Sequence, residues 1–315
     1  MPHTGSSLEI GILIGKKLGR VRFCCAARSA VAKTESDPLD STPEPDDTEN
    51  LTRPKTIHMP AEDVFEEEFF ASLYDCLNPW SISEDFYVEQ AVASGGPVLD
   101  LGCGTGVLAC HLAARNLNVT GVDPAEAMLR VARSRVDGDK VRWIKSDGQS
   151  LRLPQRFNFI CMTGHAFQGL LTDDDAVALL RTAAHHLNAE GRFVFETRNP
   201  AAQAWLSWIP ERSGRTVQSH RQGRVSLFYD AQAEPASGIV TIDEHYHLLD
   251  QGVRRVGRNR IRFVDQEHVS RVLAEAGLEA IEWYGGWDRR HFSPASEEII
   301  VVTRRADEQQ RAKPA

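Results

Sequence analysis

Asp100, Gly102, Gly104 and Gly106 set a carboxylate before three alternate glycines, and all four lie in or just after the apolar run Val98-Leu99-Asp100-Leu101. Glycines so spaced let a chain turn sharply after a strand and leave no Cβ between backbone and ligand. The segment 107–115 that follows reads as a helix, whose first amides face that ligand. The spacing is G-x-G-x-G with Cys103 between the first two glycines, whereas pyrophosphate-binding turns use G-x-G-x-x-G. A carboxylate at the mouth of the loop repels a pyrophosphate and suits a ligand carrying positive charge.

The chemistry-bearing residues downstream stand at the ends of further apolar runs. Segment 118–122 ends at Asp123, about 20 residues after the glycines, where an acid accepts hydrogen bonds from ribose hydroxyls. Pro124 opens a helix over 125–135. A strand over 141–145 ends in Ser146-Asp147-Gly148, and one over 157–162 ends in Thr163-Gly164-His165-Ala166-Phe167-Gln168. A helix over 173–187 closes at Glu190-Gly191, before a fifth strand at 192–197. Strands alternating with amphipathic helices predict an α/β, doubly wound, parallel sheet.

The stretch from Asp100 to Gly106 resembles the first motif of the class I S-adenosylmethionine-dependent methyltransferases, D-x-G-x-G-x-G, whose ligand carries an ammonium and a sulfonium. The resemblance covers roughly residues 62–304. It implies a Rossmann-like sheet of seven strands, mostly parallel with the last antiparallel, and S-adenosyl-L-methionine as cofactor. The cofactor residues implied are Asp100, Gly102, Cys103, Gly104, Gly106, Asp123, Met128, Asp147, Gly148 and Thr163, with Tyr74 of the Tyr74-Asp75 pair as a lid. His165, where the family brings its acceptor to the methyl group, is the candidate general base or orienting residue. Arg198, Asn199, His245, Trp287 and Arg289 are candidate acceptor contacts.

Around this centre the chain divides into a helical lid over 62–94, an antiparallel β insertion over 211–264, and a core domain spanning 59–304. Val64, Phe65, Phe69, Leu73 and Leu77 recur at helical spacing, and Ser83 is the expected cap of a second helix over 84–93. Within the insertion, strands are expected at 225–230, 239–249 and 253–263. A helix over 266–276 stops at Gly277, and strands at 278–284 and 298–303 follow. Arg254, Arg258, Arg260 and Arg262 share one strand face. That face either binds an anionic group or is solvated and paired with acids such as Asp243 and Glu244. His245-Tyr246-His247 lacks a third ligand, so no metal is expected.

No Asn-Pro-Pro-Tyr, Asp-Pro-Pro-Tyr or Pro-Cys follows the fourth strand, and the net charge is −8. Both features favour a small-molecule acceptor over nucleic acid. The layout looks like small-molecule methyltransferases, including amino-sugar N-methyltransferases. Two alternatives stay open: an RNA or protein methyltransferase docking through the arginine face, and a catalytically silent cofactor-binding protein.

Residues 1–34 carry six Lys or Arg against Glu9 alone, while 35–50 carry seven acids and three prolines, so 1–58 reads as a disordered or targeting-like extension. Residues 305–315 read as a disordered tail. The apolar run at 8–14 is too short to span a bilayer. Six scattered cysteines without a C-x-x-C pair fit a reducing compartment. Cytoplasm is the default, and an organelle the alternative if 1–34 acts as a transit peptide.

Overall fold

The alternation of strands and helices closes into a sheet of seven strands. A computed structural model describes residues 56–58 and 64–306. In chain order these form β1 (Thr56–His58), α1 (Glu68–Leu77), α2 (Ile82–Ser94), β2 (Val98–Leu101), α3 (Val107–Ala113), β3 (Val119–Asp123), α4 (Glu126–Arg133), β4 (Arg142–Lys145) and β5 (Phe157–Met162). There follow α5 (Asp173–His186), β6 (Leu187–Arg198), α6 (Pro210–Ser213), β7 (Arg215–Ser219), β8 (Gly223–Glu234), β9 (Ile239–Leu248), β10 (Val253–Arg262), α7 (Gln266–Ala276), β11 (Leu278–Tyr284) and β12 (Glu298–Arg305).

The larger sheet has the order β11-β12-β6-β5-β2-β3-β4. Its last strand, β12, runs antiparallel to both β6 and β11, and the other pairs are parallel. From β2 the chain winds outward to β3 and β4, then returns to β5 on the other side. The crevice at this reversal, beyond the carboxyl ends of β2 and β5, is where open α/β sheets bind ligands.

Alternating side chains bury both faces of the sheet. Phe193 and Phe195 pack with Leu180, Val269 and Val272, on the side of α5 and α7. Val194 and Ile300 pack with Phe86, Leu108 and Leu112, on the side of α2 and α3. Gly121, within buried β3, belongs to this second layer. A Cβ there would lie 2.5 and 2.7 Å from ring atoms of Trp143 and 3.1 Å from Cys103 Sγ. The indole is held by its bond to Gly138 O at 2.7 Å, so it cannot swing away freely. Gly121→Ala is therefore expected to cost about 2 kcal/mol, seen as a lower denaturant midpoint with an unchanged slope.

Among the boundaries that differ from the sequence reading, β12 runs to Arg305, the first residue of the expected tail, because it stays paired there with Leu278 of β11, and three others have a readable cause. The cap of α2 is Ser81, not Ser83: Ser81 is extended, its hydroxyl accepts from Ser83 N at 3.2 Å, and Glu84 accepts from Ser81 N at 2.7 Å. No turn at Glu190-Gly191 separates α5 from β6. The chain becomes strand at fully buried Leu187 and takes up the extra residues as a bulge, Phe157 pairing with Leu187 but Phe159 with Arg192. Finally, Thr56–His58, read as part of the extension, pairs in parallel with β10. The rest of that extension, 1–55, lies outside the described residues, as do 59–63 and 307–315.

The β insertion is one sheet, β1-β10-β9-β8-β7. Helix α1 lies between it and the larger sheet: Phe69, Phe70 and Leu73 pack on Val225, Leu227 and Tyr246, while Ala71 and Tyr74 pack toward Ala125 and Met128 of the α4 region. On the opposite face of the insertion, Arg254, Arg258 and Arg260 are exposed, Arg258 grips Asp243 through two bonds of 2.6 and 2.7 Å, and Arg262 pairs with Asp173 at 2.7 Å. No helix among the described residues is long and apolar enough to cross a membrane.

Candidate functional site

The glycine loop leaves β2 with Gly102, Gly104 and Gly106 at φ of 70°, 53° and 75°, left-handed values that suit glycine. Amides of Gly102 and Cys103 both donate to Val122 O, which binds the loop to the end of β3. The Cys103 side chain is buried and turned toward Gly121, so its backbone rather than its thiol faces the crevice. Asp123 crosses to the loop: one carboxylate oxygen accepts from Gly104 N at 2.8 Å and the other from Ala125 N at 2.9 Å. Each oxygen keeps a further lone pair. Burial raises the pKa of this carboxyl, and its two amide donors oppose the rise.

Asp100, 1% exposed, lies deeper, with the Cys161 thiol 3.7 Å away. Burial pushes its carboxyl up to about 7, and the Asp123 charge adds to the rise. Tyr74 covers the loop from α1. A Cβ on Gly104 would meet its ring at 4.0 Å and one on Gly164 its hydroxyl at 3.4 Å, so the phenol spans the loops after β2 and β5. Burial, helped by Asp123 and Asp75, pushes that phenol up to about 12.

Asp75 anchors the lid helix by accepting from Thr105 Oγ1 at 2.6 Å and pairing with Arg135. Met128 is buried beneath Tyr74 among alanines. At the end of β4, Asp147 accepts from the amide and hydroxyl of Ser150, both at 2.6 Å, which lowers its pKa. Gly148 follows it with no room for a Cβ, which would sit 2.7 Å from Leu179. Thr163 is half-buried at the end of β5.

The opposite wall is built from the ends of β5, β6 and β12. His165 adopts φ 58°, uncommon for a residue with a side chain, and its amide donates to Glu196 Oε1 at 2.8 Å. Its Nε2 lies 2.9 Å from Glu298. Glu196 is fully buried, accepts from the Tyr87 hydroxyl of α2, and is raised in pKa by burial. Arg198 donates from Nη1 to Gln168 Oε1 at 2.8 Å and lies over the indole of Trp208 at 5.2 Å.

The other residues singled out in the sequence stand in different settings. Asn199 is buried, with its amide committed to Pro294 O and Ser296 O at 3.1 and 2.7 Å, so it ties down the loop before β12. His245 stacks on Phe228, on the sheet face opposite Tyr246. Trp287 packs on Phe86 and Tyr87, and Arg289 bonds Glu89 at 2.9 Å, both against α2. No cluster of metal-ligating residues occurs among the described residues.

Sequence reasoning passed over Glu196, Glu298, Gln168 and the anchoring role of Asp75. Glu196 had a readable signal, a lone acid closing the apolar run Phe193-Val194-Phe195. Chemically, one wall offers open backbone and carboxylates to a ligand with hydroxyls and positive charge. The other offers an imidazole backed by a carboxylate, which can take up a proton, and a guanidinium.

Residues 98–191 match the model of a family described as a methyltransferase domain. The cypemycin N-terminal methyltransferase of a Streptomyces species is 33% identical over 218 residues, covering 67% of this chain and 84% of that protein. Matches to other curated methyltransferases are shorter: the chain spans 54% of one from Bacillus subtilis and 58% of a ubiquinone biosynthesis O-methyltransferase from Pseudomonas aeruginosa. Among solved structures, the CcbJ methyltransferase from Streptomyces caelestis superposes with a TM-score of 0.63 at 24% identity, over 77% of this chain and 99% of that one. CalS10, an amino pentose methyltransferase from Micromonospora echinaspora solved with S-adenosylmethionine bound, gives 0.57 at 21%, over 76% and 97%. At these identities the structural likeness speaks for the fold.

Proposed function

Because the chain belongs to the S-adenosylmethionine-dependent methyltransferases, we propose that it moves a methyl group from S-adenosylmethionine to a nitrogen or oxygen of a small-molecule acceptor. The observation that carries this reading is the cradle of three left-handed glycines, backed by Asp123 and roofed by Tyr74. Its residues suit the cofactor: the left-handed backbone at all three glycines disfavours a side chain, and Asp123 retains acceptor capacity for a ribose diol. When bound, S-adenosylmethionine supplies a methyl group activated on a sulfonium.

The chain's own residues do the rest. Asp100 places negative charge beneath the loop, where a cationic ligand is favoured. Asp147 and Gly148 edge the adenine side, Met128 supports the lid from below, and Tyr74 excludes water from the crevice. His165 accepts the proton that an amine or hydroxyl acceptor sheds, and Glu298 stabilises the resulting imidazolium. Glu196 holds the His165 backbone in place. Alignment of the acceptor for in-line attack supplies much of the remaining acceleration.

The ubiquinone biosynthesis O-methyltransferase acts, by its name, on a small molecule, which supports the same class of acceptor here. Docking of RNA on the arginine face is not favoured, since Arg258 and Arg262 are already paired with Asp243 and Asp173. Free thiols at Cys76, Cys103, Cys110 and Cys161 support a reducing compartment such as the cytoplasm.

Calorimetric titration with S-adenosylmethionine tests this reading. In the ligand-free protein Asp100 is protonated below a pKa of about 7, and a bound cation favours the ionised form. Binding at pH 6 must therefore release a proton, whereas at pH 8 the carboxylate is already charged. Affinity is expected to rise about fivefold from pH 6 to pH 7, a window in which the ligand's ammonium stays charged, with proton release seen at the lower pH by comparing buffers of different ionisation enthalpy. No heat with S-adenosylmethionine or its demethylated product at either pH would overturn the reading. A pH-independent affinity would remove Asp100 from contact with the ligand's charge.

A further inference from the structure

We infer that the acceptor carries a carboxylate and that Arg198 recognises it, an inference that rests on the methyltransferase reading above. Arg198 is the last residue of β6, at the rim of the crevice, with its guanidinium over Trp208 at 5.2 Å. Its direct polar partner among the described residues is neutral: Nη1 donates to Gln168 Oε1 at 2.8 Å. No carboxylate of the described residues forms an ion pair with it. A guanidinium largely withdrawn from water ordinarily sits against an acid, because an uncompensated buried charge is costly.

Gln168 is built to hold this arrangement. It is 1% exposed, and its Nε2 donates to Arg262 O at 3.2 Å, which fixes its Oε1 toward Arg198. With Nη1 occupied and one face covered by indole, the guanidinium keeps its Nε–Nη2 edge. That edge presents two parallel donors, the geometry that matches the two oxygens of a carboxylate. Burial lowers the Arg198 pKa, and Glu298 and Glu196, which form no ion pair with it, oppose the fall.

Placement ties the edge to the reaction. Arg198 pairs in register with Glu298, and Glu298 holds His165 Nε2 at 2.9 Å. His165 and Gln168, the residue that holds Arg198, lie on one short turn, in which Gln168 N donates to His165 O at 2.9 Å. An acceptor gripped at Arg198 thus brings a neighbouring nitrogen or oxygen toward the imidazole. Charge selects the anion: Glu196 and Glu298 already stand at the same strand ends, so each further negative charge adds repulsion, and the guanidinium tolerates one better than two. A carboxylate fits, and a phosphate dianion is repelled.

The test uses the full chain saturated with S-adenosylhomocysteine, titrated calorimetrically with benzoate, benzamide and phenyl phosphate as probes. Benzoate is expected to bind at least about tenfold tighter than either of the others. Arg198→Met should erase that preference, and Arg198→Lys, which keeps the charge but loses the two-donor edge, should restore it only in part. Benzoate binding no tighter than benzamide, or a preference that survives in Arg198→Met, overturns the inference. Tightest binding of phenyl phosphate overturns the carboxylate assignment. The comparison among probes on the unaltered chain decides the matter even if a variant fails to fold. Failure of S-adenosylhomocysteine itself to bind would count against the methyltransferase reading instead.

Discussion

Asp123→Ala is expected to lower the affinity for S-adenosylmethionine about 100-fold. The carboxylate stands between two demands. It already accepts from Gly104 N and Ala125 N, fixing the loop after β2 against the start of the next helix, and its remaining lone pairs are those proposed for the ribose diol. Hydrogen bonds to a charged group are worth about 1.5–3 kcal/mol each, so losing two ligand bonds at the low end of that range amounts to roughly 3 kcal/mol, or about 100-fold. Asp123→Asn keeps one acceptor oxygen and should fall between. Calorimetry with the demethylated product checks the affinity, and the unfolding midpoint separates a collapsed loop from a lost contact. An affinity within about threefold of the unaltered chain would leave Asp123 as a loop cap alone.

His165→Asn is expected to lower kcat about 100-fold while leaving cofactor affinity nearly unchanged. Asparagine is the informative replacement because it tolerates the left-handed backbone that His165 adopts at φ 58°, so the turn survives and only the imidazole is lost. Glu298→Gln removes the charge beside Nε2 and should give a smaller loss in the same direction. Transfer of a labelled methyl group into acceptor, with kcat and KM separated, is the measurement. Unchanged turnover in His165→Asn would assign the ring to packing and leave alignment of the acceptor as the main source of rate.

The glycine loop and the acids beside it were legible for a local reason. A turn that needs three glycines leaves its mark in consecutive residues, and acids at Asp123 and Asp147 sit at fixed distances from it, because each strand–helix unit has a set length. The same holds for strands β8 to β10, whose alternation is readable in the sequence alone. Local signals mislead where two candidates are neighbours. Ser81 and Ser83 both suit a helix start, and the choice fell to the one whose partner Glu84 closes a reciprocal pair of bonds. Glu190-Gly191 reads as a turn in isolation, yet the burial of Leu187 draws that stretch into β6.

What the sequence determined by itself is therefore the α/β class, the glycine loop and the acids at the neighbouring strand ends, since short-range sterics and strand periodicity write these into adjacent residues. The tertiary structure alone decided the other wall. His165 meets Glu298 across 133 positions, and Tyr87 meets Glu196 across 109, so neither pair leaves any spacing to read. Such partners meet because β12 inserts antiparallel beside β6 and because α2 packs on the same face, and both facts belong to the folded sheet.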